Sequence, residues 1–321
     1  MRGVAERPSK PAKQAGFEKI VFVTRKTRLA ELIERFNTLP QAKFYIEHAG
    51  GDFAEYQSED EAYLRSLDSV RRSIEIGLKV QAVDRALVPT FTFLPTDLVI
   101  TLGQDGLVAN TAKYVGHQPI VAVNPDPERF DGILLPFLPN QVNHAIEQVF
   151  ERRCKIRAVT LAEASLNDGQ RLLAFNDLFL GAQSHISARY RISWNKLTEQ
   201  QSSSGVLVST GAGSSGWMSS VFNMASGVAA LTGGHAVKSL RLDWEDRRLL
   251  FVVREPFISR HSQAHAIAGV VEPRQALQLE SLMPSGGVIF SDGVEADYLQ
   301  FNSGAIVSVR AAPETAHLVV A

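Results

Sequence analysis

The sequence predicts an α/β domain built on a parallel sheet, followed by a β-rich domain. The runs "DLVITLG", Asp97 to Gly103, and "PIVAVN", Pro119 to Asn124, are continuously apolar, as strands covered on both faces are. A helical piece at about 108–114 lies between them, and a strand-loop-helix-strand unit implies parallel pairing with a right-handed crossover. From Lys155 onward short alternating runs dominate, which is the texture of antiparallel sheet. A chain of 321 residues also exceeds the usual size of one hydrophobic core, so two domains, or one with a large insertion, are expected.

The elements follow in order. "KIVFVT", Lys19 to Thr24, is a β-branched strand, and Leu29, Leu32, Ile33 and Phe36 then recur at helical spacing. A second helix is expected from Glu59, with Tyr63, Leu64, Leu67, Val70 and Ile74 on one face and Gly77 as its stop. After the two buried strands, Pro139 can start a helix with Val142, Ala145, Ile146, Val149 and Phe150 inward. The β-rich part is read from "KIRAVTL", "LLAFNDLFLG", "ARYRISW", "GVLVST", "LRLDW", "LLFVVRE", "ALQLE", "GVIFSDG" and "AIVSVR". The expected division is a disordered tail at 1–18, an α/β domain at 19–138, a β-rich domain at 139–310, and a segment at 311–321 that could return to the first domain.

Composition narrows the function classes. A formal net charge of -1 gives no electrostatic footprint for nonspecific nucleic-acid binding, and no apolar run approaches the roughly 18–20 residues needed to cross a bilayer. No nucleic-acid or membrane partner is therefore expected, and the expected location is cytoplasmic. The single cysteine, Cys154, cannot form an internal disulfide and reads as a core thiol. The N-terminal "MRGVAERPSKPAKQAGFEK" lacks the apolar centre of a secretory signal.

In open α/β sheets ligands bind beyond the carboxyl ends of the strands, so the loop Gly103-Gln104-Asp105-Gly106 is the first candidate site. Its glycines suit either a tight turn or a backbone cradle for phosphate at a helix N-terminus. Neither the dinucleotide-binding glycine fingerprint nor the lysine-containing phosphate loop matches. Asp105 would repel phosphate, so it is either a helix cap or a group that takes a proton from an attacking hydroxyl. Asn176-Asp177 reads as a turn between strands or as a polar pair for ribose hydroxyls. His261 and His265 could share a helical face, but a third metal ligand is not evident, so no metal site is expected. "GAGSSG" lacks the strand and partners of a serine hydrolase elbow.

Four stretches in order carry a family resemblance. "DLVITLGQDG" resembles the strand and loop of the superfamily of NAD kinases, 6-phosphofructokinases and diacylglycerol kinases, whose pattern is Gly-Gly-Asp-Gly-Thr. "AVNPDPERFDG" (122–132), "AFNDLFLG" (174–181) and "SSGVLVSTGAGSSGW" (203–217) resemble NAD kinases, the first and the "SSG" of the third resembling the mitochondrial type and the second the Asn-Glu or Asn-Asp motif. "VVREP" and "SDGVEADYLQFNSGAIVSV" follow in the expected order, so the similarity runs from about Asp97 to Arg310.

The resemblance implies a Rossmann-like first domain, a β-rich domain that binds NAD, and a homodimer. It implies phosphoryl transfer from ATP or polyphosphate to the 2'-hydroxyl of the adenosine ribose, with magnesium carried in on the ATP. Asp105 would be the general base, and Gly103, Gln104 and Gly106 would face the donor phosphates. Asn176, Asp177, Ser204, Ser215, Gly216, Trp217 and Ser220 would line the NAD site, where the Trp217 ring could stack on a base or simply anchor a helix. Gln104 replaces the family's second glycine and Leu107 its threonine. These departures keep two alternatives open: a silent NAD-binding homologue, and a lipid or sugar kinase of the same superfamily.

Overall fold

The structure, a computed structural model, describes residues 16–320. The expected disordered tail lies outside the described residues except for its last three positions. The first strand, β1 (Lys19–Thr24), is buried along its middle and leads into α1 (Arg28–Phe36). The Thr27 side chain accepts the Ala30 N–H at the start of α1, and Asn37 closes it in the left-handed conformation. Next come α2 (Leu39–His48) and α3 (Phe53–Ser73), and α3 starts six residues before the expected Glu59 because Asp52 caps it. β2 (Lys79–Asp84) follows, then β3 (Asp97–Leu102), α4 (Asp105–Ala112), β4 (Pro119–Val123) and α5 (Val142–Phe150).

These strands lie in the order β2-β1-β3-β4, all parallel. The chain steps to one side of β1 for β2 and to the other for β3. That reversal opens a crevice at the carboxyl ends of β1 and β3, where the side connections diverge. β3 is buried at all six positions, as its unbroken apolar run requires. Ile20, Phe22, Leu98, Ile100, Val121 and Val123 form one core with Val142, Ala145, Ile146 and Val149 of α5, so by packing this helix sits with the first sheet.

The remaining chain forms β5 (Lys155–Leu166), β6 (Arg171–Ala174), β7 (Asp177–Ala182), β8 (Ala188–Trp194), β9 (Leu197–Ser203) and β10 (Val206–Ser209). After α6 (Trp217–Leu231) come β11 (Leu249–Val253), β12 (Ala268–Val271), β13 (Leu277–Ser281), β14 (Gly287–Ser291), β15 (Val294–Gln300) and β16 (Ile306–Val320). An antiparallel six-stranded sheet runs β12-β11-β10-β7-β14-β15. It faces an antiparallel extension of the first sheet, and Leu178, Leu180, Tyr190, Ile192, Val206, Phe251, Ile289 and Val309 fill the space between.

β16 joins the two halves. It pairs antiparallel with β13 and β5, while His317 and Leu318 lie parallel to Pro119 and Ile120 of β4. One expected strand is absent: "LRLDW", 240–244, is irregular, and its Trp244 carbonyl instead accepts the Thr160 N–H at 2.8 Å. Among the described residues no helix is long and apolar enough to cross a membrane.

Candidate active site

The loop after β3 sits at the crevice the strand order creates. Gly103 is buried, and a Cβ there would lie 2.7 Å from Leu107 Cδ2, so a larger residue would have to displace the Leu107 side chain packed beneath the loop. Leu107 is 2% exposed and belongs to the core with Val21, Val99 and Val108. Its burial explains why this position carries an aliphatic side chain: it closes the space beneath the turn. Gln104 is exposed and precedes α4 without capping it, and Gly106 has open space around it.

Asp105 is the first residue of α4, so the helix starts three residues before the expected 108. Its side chain makes no cap bond to its own helix. Asp105 Oδ1 instead accepts the Leu134 N–H at 2.6 Å, tying this loop to the segment after β4. Among the described residues no hydrogen bond reaches Oδ2, and the residue is half-buried.

A cavity of about 740 Å³ opens beside this loop at Gln104, lined by the residues after β1, by α1, by the end of β2 and the segment after it, by the end of α4 and by β15. Arg25, Lys26, Arg28 and Arg85 bring cations to it, and Glu31, Glu34, Asp84 and Asp297 bring anions. The first two arginines are held from below: Glu59, 2% exposed, pairs with both Arg25 and Arg28. Burial alone would raise the Glu59 pKa, but its hydrogen bonds to Arg28 and Arg25 outweigh that and hold it below the usual carboxylate value.

The second half of the site is built around Asn176, where "LLAFNDLFLG" breaks into β6 and β7. Its backbone is fixed on both sides. The Asn176 carbonyl accepts the Thr210 N–H at 2.9 Å, and the Thr210 hydroxyl donates to the Phe175 carbonyl at 2.6 Å. The turn "GAGSS" packs against it so closely that a Cβ on Gly213 would lie 2.1 Å from the Asn176 carbonyl oxygen. Only glycine fits there. The Asn176 side chain is half-buried, and among the described residues no hydrogen bond engages its amide. Asp177 is nearly buried; burial first, and the neighbouring Asp292 second, push its pKa up to about 7.

Packing brings the two halves together. Leu107, Leu134, Phe175 and Ala212 belong to one buried cluster, so the Asp105 loop, the Leu134 segment, the Asn176 turn and the Gly-rich turn surround one core. The other expected residues spread outward from it. Ser215 opens on a cavity with Arg157, Arg241 and Trp244. Ser204 and Trp217 line another, of about 470 Å³, with Phe179, Arg254 and Tyr298. The Trp217 ring is stacked at 5.9 Å on Phe179, with the Arg254 guanidinium 5.3 Å from its centroid. Gly216 and Ser220 are exposed at the start of α6.

Sequence reasoning missed the residues beneath the site: Lys113, Tyr114, Asp292 and Asp297. Lys113 and Asp292 are both buried and 3.9 Å apart, and Tyr114 donates its hydroxyl to Asp297. "SDG" at 291–293 is read only as the end of the run "GVIFSDG" and the start of a family-like stretch, and nothing local marks its aspartate as a buried group.

Fold and site together define a two-domain α/β plus β-rich protein, with a parallel sheet and an antiparallel half meeting at the Asp105 loop. The chain is similar to NAD kinases along most of its length. It is 24% identical to the mitochondrial NAD kinase 2 of Rattus norvegicus and equally to that of Homo sapiens, over 94% of this chain and 85% and 82% of theirs. Among solved structures, yeast NADH kinase complexed with NADH superposes with a TM-score of 0.56 at 17% identity, covering 98% of this chain and 88% of that one. No family model matches the sequence.

Proposed function

We propose that the protein is an NAD kinase that phosphorylates the 2'-hydroxyl of the adenosine ribose of NAD. The observation that carries this reading is the meeting of the Asp105 loop with the Asn176-Asp177 turn around one core. Asp105 can take a proton through Oδ2 while Oδ1 stays bonded to Leu134, so the group is both held and available. The ribose oxygen attacks the terminal phosphorus of the donor, its proton passes to Asp105, and the bond from that phosphorus to the bridging oxygen breaks, releasing the shortened donor.

The donor, ATP or polyphosphate, would occupy the 740 Å³ cavity, with the Gly103–Gly106 backbone and the Arg25 and Arg28 side of the wall toward its phosphates. A magnesium ion would be borne by the donor's own oxygens. Such an ion would offset phosphate charge. Asn176 and Asp177 would bind ribose hydroxyls and the adenine end of NAD, with Ser204, Ser215, Gly216, Trp217 and Ser220 along the remainder. The homodimer belongs to the same proposal: Met224, Val228 and Leu231 leave α6 with an exposed apolar face.

Incubation with NAD, magnesium and either ATP or polyphosphate, followed by mass detection of NADP, tests the reading. NADP formation with one donor is the expected result. Saturable NAD binding without NADP would replace it with a silent NAD-binding homologue, a second reading favoured by the exposed Gln104 where the family has glycine.

A further inference from the structure

Asp292 lies at the tip of the β14–β15 hairpin, and its carboxylate collects three consecutive backbone donors of the substrate turn. Oδ2 accepts the Phe175 N–H at 2.9 Å, and Oδ1 accepts those of Asn176 and Asp177 at 2.6 and 3.3 Å. In return the Asp292 N–H donates to the Asp177 carbonyl at 3.0 Å. On its other side stands Lys113, the residue directly after α4. Its ammonium donates to Ser291 Oγ at 2.7 Å and lies 3.9 Å from Asp292 Oδ2. Tyr114 adds a second tie from the same helix end to Asp297 of β15.

Both charged side chains are almost fully removed from water, at 2% and 1% exposure. Burial pulls Lys113 below its ordinary pKa and pushes Asp292 above its own, and each is drawn back by the other. A pair held against desolvation is a poor means of adding stability, since an apolar pair of similar volume does as well or better. Its geometry serves another end. One carboxylate connects the helix that begins with Asp105 to the turn that presents Asn176 and Asp177.

We propose that Asp292 and Lys113 are positioning residues, which set the distance between the general base and the bound ribose by clamping α4 to the Asn176 turn. The inference rests on the kinase reading above. Lys113 governs the spacing of the two elements, whereas Asp292 governs the shape of the turn itself. The two therefore have different kinetic signatures, because misplacing reacting groups lowers turnover while misshaping a binding turn weakens affinity.

The experiment measures steady-state kinetics for NAD, direct NAD binding, thermal midpoint, and hydrogen exchange at residues 175–177 in the full chain. Lys113→Met is expected to lower kcat by about tenfold or more with NAD affinity within about threefold of wild type. Asp292→Asn is expected to weaken NAD binding by about tenfold and to speed exchange within 175–177 at the amides left facing its NH2 group, since an amide nitrogen cannot accept from an N–H while the remaining oxygen still can. Ser291→Ala keeps both charges and serves should Lys113→Met fail to fold; a kcat loss of about threefold without loss of NAD binding is expected. Wild-type kcat in Lys113→Met or Ser291→Ala overturns the proposal, as does an equal loss of kcat and NAD affinity in all three variants. If the wild type forms no NADP, the kinase reading fails separately. The clamp itself is then upheld by faster exchange in Asp292→Asn and overturned by unchanged exchange.

Discussion

The Asp105 carboxylate and the Leu134 N–H are joined at 2.6 Å, so the acid on the loop after β3 is anchored by backbone and not by its own helix. That anchor leaves Oδ2 for a hydroxyl and gives a way to separate support from chemistry. Asp105→Asn can still accept from Leu134 through its amide oxygen, but it cannot take a proton. Turnover is expected to fall by a factor on the order of 100 or more, with NAD affinity and thermal midpoint nearly intact. Steady-state kinetics beside calorimetric binding checks it, and comparable turnover in the variant would defeat the base assignment.

Asn176→Ala removes only a side-chain amide, because the turn is held by the backbone bonds to Asp292 and Thr210. The KM for NAD is expected to rise about tenfold or more, with no change in midpoint beyond about 0.5 kcal/mol equivalent. A large loss of stability instead would make Asn176 a structural turn residue.

Leu107→Thr and Gln104→Gly restore the family pattern, and the structure separates their effects. Leu107 is packed on Gly103, so threonine there leaves a void and a buried hydroxyl, and a loss of about 1–3 kcal/mol is expected. Gln104 is exposed, so Gln104→Gly is expected to change the KM of the donor with little effect on folding. Chemical denaturation and donor titration distinguish the two; an unchanged midpoint in Leu107→Thr would contradict the packing role.

Asp177 gives a pH dependence. Its pKa in the fold, about 7, lies above the 3.8 of an ordinary aspartate. Between those values the folded chain binds more protons than the unfolded chain, so this residue's contribution to stability is greatest at low pH and declines as pH rises toward 7. Asp177→Asn is expected to flatten that decline and to be relatively more stable at pH about 8 than about 5. Denaturant midpoints across this range decide it, and parallel curves for the two proteins would show that Asp177 does not titrate there.

Much of the architecture was legible because burial on both faces writes itself into composition. β3 and β4 are such strands, and the loop they frame was found from them alone. β2 was missed because "KVQAVD" is an edge strand with four exposed positions, and β9, "LTEQQSS", because its buried positions, Glu199, Gln201 and Ser203, are themselves polar. α6 escaped because glycine and serine dominate its approach and only Met218 is buried on it. "LRLDW" alternates like a strand yet has no neighbour to pair with, which local pattern cannot reveal. The same holds at the site: Asn176 and Asp105 sit in recognisable motifs, whereas Lys113 and Asp292 matter through a contact 179 positions apart in sequence.

β16 has a consequence for how the molecule assembles. Because its far end lies beside β4, the parallel sheet borrows its fifth parallel member from residues synthesised after nearly all of the β-rich half. A nascent chain halted before Ile306 would leave β4 and β5 as bare edges, prone to pairing with other chains, and completion would wait on the slowest, most distant encounter in the topology.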